Sequence, residues 1–376
     1  MRPATVLACA ALALLAAAPA AGAARVPGNF FGVMANGPFL EARDLPGETA
    51  VMKSAGVGTI RLPVEWTDLQ PYERLEYVPE AERSRFTVVD GVPTDFGPTD
   101  RRVLAAAEQG IDVLALVNRA PPWAAQEMFK DFSPPRDPAT YGRFLQALVG
   151  RYGPQGSLWA ENPGVRRVPV RSFQIWNEPS LPRYFAVDSF ARPYVRLLAA
   201  AYRAVKKADP GATVVAAGLP NYSWRDLQAL YRAGLKARGH FDAIAVHPFT
   251  GDAAGSVEIL RRVREVMNRN GDRRSPIWVT EVSWPSGRGK ADANQRWVTT
   301  EAGQARKVRE VYRAFARSRG SLRLQRAYWY SWVTTDTGSR NAFDYAGLRR
   351  LAGDGAFVDK PALSAYRAVS RELTGR

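Results

Sequence analysis

The 376-residue chain is poor in the residues on which redox and metal chemistry usually depend: it has one cysteine and two histidines. The cysteine, Cys9, falls in the first 23 residues, so the rest of the chain is expected to form no disulfide, carry no thiol nucleophile and hold no Cys-ligated metal. His240 and His247 are too few for a hydrolase whose ion sits on several His and Asp ligands, and neither a metal nor another cofactor is expected. Beyond the N-terminus no stretch approaches 18 apolar residues, which excludes a spanning helix there. No P-loop or Gly-rich phosphate loop is present, and Gly32-Val33-Met34-Ala35-Asn36-Gly37 is no dinucleotide fingerprint. Lysine is scarce as well, since 44 of the 52 basic residues are arginine.

The composition is otherwise that of a globular protein, 46% apolar and 23% charged, with 10 Trp, 14 Tyr and 16 Phe to furnish a core or a binding cleft. Met1-Arg2-Pro3, an Ala/Leu run to Ala20 and Ala21-Gly22-Ala23 read as a secretory signal peptide over residues 1–23. Residues 24–376 are then a secreted or cell-envelope protein, not inserted in a membrane and expected as a monomer. Loss of Arg2 with the leader lowers the formal charge from +16 to +15. Such a charge attracts polyanions. The arginines are spread and no nucleic-acid motif accompanies them, so nucleic acid is not the expected partner. The charge fits an anionic polysaccharide or envelope; arginine drift with no partner attached fits it too.

Short apolar runs alternate with amphipathic segments. Strands are expected at 30–33, 58–62, 112–117, 172–176, 213–217, 243–247, 277–280 and 326–331. Helices are expected at 48–55, 100–109, 141–151, 189–208, 224–237, 257–268, 300–319 and 360–373. Several strands are continuously apolar, as parallel strands covered on both faces are. Eight strand–helix units with no linker indicate an α/β fold, a single-domain (β/α)8 TIM barrel; a doubly wound open sheet would need a Gly-rich first turn that is missing.

In such a barrel, polar residues at the C-terminal ends of strands face the site. Two of these ends carry a glutamate among aromatics: Gln174-Ile175-Trp176-Asn177-Glu178-Pro179 on strand four and Ile277-Trp278-Val279-Thr280-Glu281-Val282-Ser283-Trp284 on strand seven. Strands four and seven lie across the mouth from one another, so Glu178 and Glu281 can flank one ligand. Two opposed carboxylates are what acetal hydrolysis needs, one protonated to release the leaving oxygen and one ionised to attack the anomeric carbon. A helix cap at Glu178 or an arginine partner for Glu281 is the structural alternative.

Trp176-Asn177-Glu178-Pro179 and Thr280-Glu281 resemble the acid/base and nucleophile motifs of retaining glycoside hydrolases of the cellulase-like clan, over essentially the whole mature chain. The resemblance implies β-glycosidic bond cleavage, with Glu178 as acid/base, Glu281 as nucleophile and Asn177 on the sugar 2-hydroxyl. It also implies that Arg61, at the end of strand two, supports the nucleophile, and that His247 on strand six binds substrate. An aromatic platform is implied on strand eight, at Trp329 or Trp332 of Tyr328-Trp329-Tyr330-Ser331-Trp332. Phe249 stands where family 5 members commonly carry Tyr, and Asn118-Arg119 ends strand three where many carry His. These departures make the chain more similar to family 39-like barrels, with Asn118 as a substrate-binding candidate and an endo-acting polysaccharide hydrolase as the implied activity. A transglycosylating or inactive glycan-binding barrel would use the same residues. Arg61, Arg119 and Arg183 are the rim candidates for pairing with an acidic substrate.

Overall fold

The computed structural model describes residues 25–292 and 296–376. The expected leader lies outside the described residues. Eight parallel strands close into a barrel in chain order: β1 Phe31–Met34, β2 Thr59–Glu65, β3 Asp112–Asn118, β4 Ser172–Asn177, β5 Thr213–Pro220, β6 Ile244–His247, β7 Ile277–Val282 and β8 Leu324–Trp329. β1 pairs with both β2 and β8, which completes the closure. Eight long helices follow the strands: α1 Leu45–Ser54, α2 Gly97–Glu108, α3 Pro138–Tyr152, α4 Ala191–Ala208, α5 Ser223–Arg232, α6 Ala253–Arg269, α7 Glu301–Leu322 and α8 Pro361–Thr374. The fold is the single-domain (β/α)8 barrel that the alternation of apolar runs implies.

Local chemistry starts and stops these helices. Asp44, Asp137, Asp252 and Thr300 accept hydrogen bonds from backbone N–H groups in the first turns of α1, α3, α6 and α7. α5 ends at Arg232, five residues before the expected stop, because Gly234 takes a φ of 95° that ends the turn. Among the described residues, no helix is long and apolar enough to cross a membrane.

Two apolar layers hold the barrel. The larger lies between strands and helices; the smaller, of Leu114, Val215, Ala243, Ala245, Trp278 and Tyr328, plugs the barrel interior. Above the plug the interior turns polar, with Arg61, Gln174, His247 and Thr280 each fully buried. That change of layer positions the site.

Candidate active site

Strand alternation should send neighbouring residues to opposite faces. Both glutamate-bearing strands break it. On β4, Trp176 and Glu178 take left-handed φ values of 66° and 42°, and the adjacent Asn177 and Glu178 both reach the mouth. On β7, a step of three residues from Val279 to Val282 matches a step of two on β8, from Ala327 to Trp329. That irregularity lets Thr280 and Glu281 both face inward. Left-handed non-glycine residues are costly and cluster at functional sites.

Arg61 projects from β2 into the polar layer. Its Nε donates to Gln174 Oε1, one terminal nitrogen donates to Glu281 Oε1, and the other donates to Asn177 Oδ1, each at 2.7 Å. Met34 Sδ accepts from the nitrogen on Glu281 at 3.2 Å. Arg61 is therefore a floor for the site: it orients Glu281 and Asn177 from below and has no nitrogen left for a substrate acid.

His247 ends β6 and links the two glutamate motifs. Its Nδ1 is 2.8 Å from Glu178 Oε1, its Nε2 is 2.9 Å from Thr280 Oγ1, and Glu281 Oε1 lies 3.7 Å from Nε2. A ring nitrogen of His247 and one oxygen from each of Glu178 and Glu281 all lie within 4.8 Å of one another. Burial raises the Glu178 carboxyl to about 7 against the pull of Arg61 and Arg183. Burial also pushes His247 down to about 4, with Glu281 opposing. The imidazole is thus neutral at neutral pH. With its proton on Nδ1 it donates to Glu178 and accepts the Thr280 hydroxyl at Nε2, which leaves the second Glu178 oxygen to carry a transferable proton. Three buried groups of this kind would also suit a cation by donor type. Arg61 already supplies a positive charge to Glu281, and the hydrogen bonds of His247 already occupy both ring nitrogens, so the set reads as an acid–base site.

The mouth opens into a cleft of about 630 Å³. Glu178, Glu281, Asn177 and Asn118 line it, whereas Trp329 and Trp332 do not. Both indoles are fully buried in the layer outside the barrel, where Trp329 Nε1 donates to the Ala346 carbonyl and Trp332 Nε1 to Glu48. Alternation places Tyr328 inside, Trp329 outside and Tyr330 inside. Tyr330 therefore lines the cleft, beside Phe249, Trp297 and Phe343. Burial and the Glu281 charge hold the Tyr330 phenol well above its usual range, and its oxygen accepts from Asn36 at 3.3 Å. The signal for Tyr330 was in the same pentapeptide; its phase was not.

The basic charge does not gather in this cleft. Among the described lining residues Arg183 is the one basic side chain, stacked over Tyr184 at 4.7 Å, against three glutamates: 65, 178 and 281. Arg119 pairs with Asp131 at 3.3 Å and stacks over Phe132. His240 is away from the site, bonding the Lys236 backbone.

Two residues that the sequence reading passed over complete the site. Gly218, on β5 opposite Asn177, gives His247 its room: a Cβ there would lie 1.9 Å from His247 Nε2. Glu65, at the end of β2, lies opposite Asn118, whose amide nitrogen, oriented by these partners, donates to its two oxygens at 2.6 and 3.2 Å.

No protein-family model matches the sequence, and no curated protein does. Among solved structures, the chain is similar to a family 39 glycoside hydrolase from Bacteroides cellulosilyticus WH2 (TM-score 0.62, 19% identity, 93% of this chain and 64% of that one). It is also similar to a glucosidase from Croceicoccus marinus (0.61, 16%, 94% and 67%) and a family 1 β-glucosidase from Thermotoga maritima (0.61, 10%, 93% and 99%). The chain thus spans about two thirds of the length of the first two. At these identities the likeness is one of fold, the closed parallel barrel on which these glycosidases are built.

Proposed function

We propose that the chain is a retaining glycoside hydrolase that cleaves β-glycosidic bonds in a polysaccharide, with Glu178 as acid/base and Glu281 as nucleophile. The observation that carries this reading is the meeting of both carboxylates and His247 within 4.8 Å at the mouth of the barrel. Such closeness supports a retaining pair, about 5–5.5 Å apart, over an inverting one at about 6.5–9.5 Å. The two carboxyls also differ in surroundings as the roles require: Glu281 lies on a guanidinium, while burial raises Glu178 to about 7.

In the first step the Glu281 carboxylate attacks the anomeric carbon and Glu178 gives its proton to the departing oxygen. A glycosyl ester forms on Glu281 as the glycosidic bond breaks. In the second step the Glu178 carboxylate takes a proton from water, the water oxygen attacks the same carbon, and the ester bond breaks to restore both groups. An acceptor sugar in place of water gives transglycosylation. The open cleft supports attack within a chain, and the leader expected from the sequence over residues 1–23 supports action outside the cell.

The test is a screen of neutral and anionic polysaccharides for released reducing ends at low and high salt. Anionic glycans belong in it because charge outside the cleft draws them over the distance that salt screens, about 8 Å at physiological ionic strength. Glu281→Gln is expected to abolish release. Glu178→Ala is expected to regain turnover on substrates whose leaving group needs no proton. The reverse rescue pattern would exchange the two roles, and no release from any glycan by the parent would reject the hydrolase.

A further inference from the structure

The bond-breaking scheme leaves one cleft carboxylate unused. Glu65 lines the cleft together with Pro63, Leu116 and Asn118, the inward residues at the ends of β2 and β3. Asn118 donates to both of its oxygens. Among the described residues no cation stands within ion-pair distance of it: Arg119, whose charge opposes its own, is turned onto Asp131, and Asp68 adds a like charge. Burial raises the Glu65 carboxyl above its ordinary range, and the bonds from Asn118 favour its ionised form. Phe132 and Tyr184 meet edge to face at 5.4 Å in the wall of the same cleft, and Phe132 carries the guanidinium of Asn118's neighbour Arg119.

A glutamine at position 65 would still accept a hydrogen bond from Asn118 and would avoid the cost of a half-buried, unpaired carboxyl. A carboxylate differs in offering acceptors alone, about four lone-pair sites, of which Asn118 uses two. What completes it is a ligand rich in hydrogen donors, presented beside an aromatic wall.

We propose that Glu65 and Asn118 form a sugar-recognition subsite, separate from the bond-breaking pair, in which the Glu65 carboxylate accepts hydrogen bonds from donor groups on one ring of the glycan. A pair of ring hydroxyls supplies such donors, and so does a ring ammonium. The proposal rests on the glycosidase reading and extends it from the bond that breaks to the unit that is recognised.

The experiment uses the full mature chain carrying Glu281→Gln, which binds without turnover, titrated calorimetrically with cellohexaose, xylohexaose, mannohexaose and a glucosamine hexamer. At least one oligosaccharide is expected to bind, and adding Glu65→Gln is expected to weaken it about ten- to hundred-fold, the range for a hydrogen bond to a charged group. Loss confined to the glucosamine hexamer assigns the donor as an ammonium; loss on a neutral oligosaccharide assigns it as hydroxyls. Asn118→Ser, which leaves Glu65 unoriented, is a second variant expected to weaken the same oligosaccharide. Unchanged binding in both variants overturns the subsite, and so does failure of all four oligosaccharides to bind. Release of reducing ends by the parent chain is scored separately, so the subsite can fall while the hydrolase stands.

Discussion

Arg61 and Glu281 meet at 2.7 Å across 220 residues of sequence, the guanidinium fully buried and the glutamate side chain 9% exposed. Because the same guanidinium also holds Asn177 and Gln174, three strands are tied at one side chain. A planar fork reaches three acceptors spread over three separate nitrogens; an ammonium would have to gather them all around one atom. The position of the proposed nucleophile therefore depends on the shape of its partner as well as on its charge.

Arg61→Lys isolates shape from charge. The ammonium can reach one or two of the three acceptors, so Glu281 and Asn177 lose their common reference. A fall of about 100-fold or more in kcat/KM is expected, the scale of an ångström's misplacement. Arg61→Met goes further and leaves Glu281 buried without a partner, at a cost of about 3–5 kcal/mol in stability. Steady-state kinetics and thermal unfolding check both, and near-parental activity in the lysine variant would remove the positioning argument.

The Glu178 carboxyl, raised to about 7, gives the pH dependence a sign. Only its protonated form donates to a leaving oxygen, so kcat/KM on an unactivated glycan should be level at mildly acidic pH and fall about tenfold per unit as pH rises through 7. His247, held near 4, is neutral throughout this range and supplies no limb. Burial raises Glu65 as well, and Glu65→Gln separates the two, since the limb persists if Glu178 makes it. On the matching 2,4-dinitrophenyl glycoside the limb should vanish.

The barrel and both glutamates were legible because they rest on local signals. Eight apolar runs alternating with amphipathic segments specify the strands, and strand ends specify the mouth. Phase was harder to read. Thr280 and Glu281 share a face only because of the irregularity against β8, and Asn177 and Glu178 only because two residues turn left-handed; neither follows from residue type. The resemblance implies an indole platform at Trp329 or Trp332, yet the register of β8 sends Tyr330 inward. Gly218 gave no signal, since it matters through a ring brought to it from another strand; Glu65 carried the strand-end signal beside Trp66 and was missed because the strand runs to 65 rather than stopping at 62.

The strand-eight aromatics can be sorted by two substitutions. Tyr330→Ala removes a cleft wall and a partner of Asn36, so KM should rise several-fold, the scale of a lost stacking contact. Trp332→Ala opens a hole between barrel and helices and takes one donor from Glu48, which keeps its pair with Arg349, so stability should fall by about 3–5 kcal/mol, chiefly through the cavity. Oligosaccharide kinetics beside thermal unfolding decide the matter. A KM effect confined to Trp332→Ala would restore the indole as the platform.

Gly218→Ala tests whether the glycine is there for His247. Its added Cβ would meet Nε2 at 1.9 Å, Cε1 at 2.4 Å and Cδ2 at 2.6 Å. The ring has nowhere to retreat, being fully buried and held by Glu178 on one side and Thr280 on the other. Either it swings away and breaks its bond to Glu178, or β5 and β6 part. Activity should fall about 100-fold or more, and the unfolding temperature should drop. The decisive measurement is the double variant with His247→Ala, which removes the obstructed ring. If the clash is the cause, the double variant should recover the stability lost by Gly218→Ala and match His247→Ala in activity, a strongly non-additive cycle. Additive losses would mean that Gly218 serves the β4–β5 pairing with Asn177 and that its closeness to the imidazole carries no function.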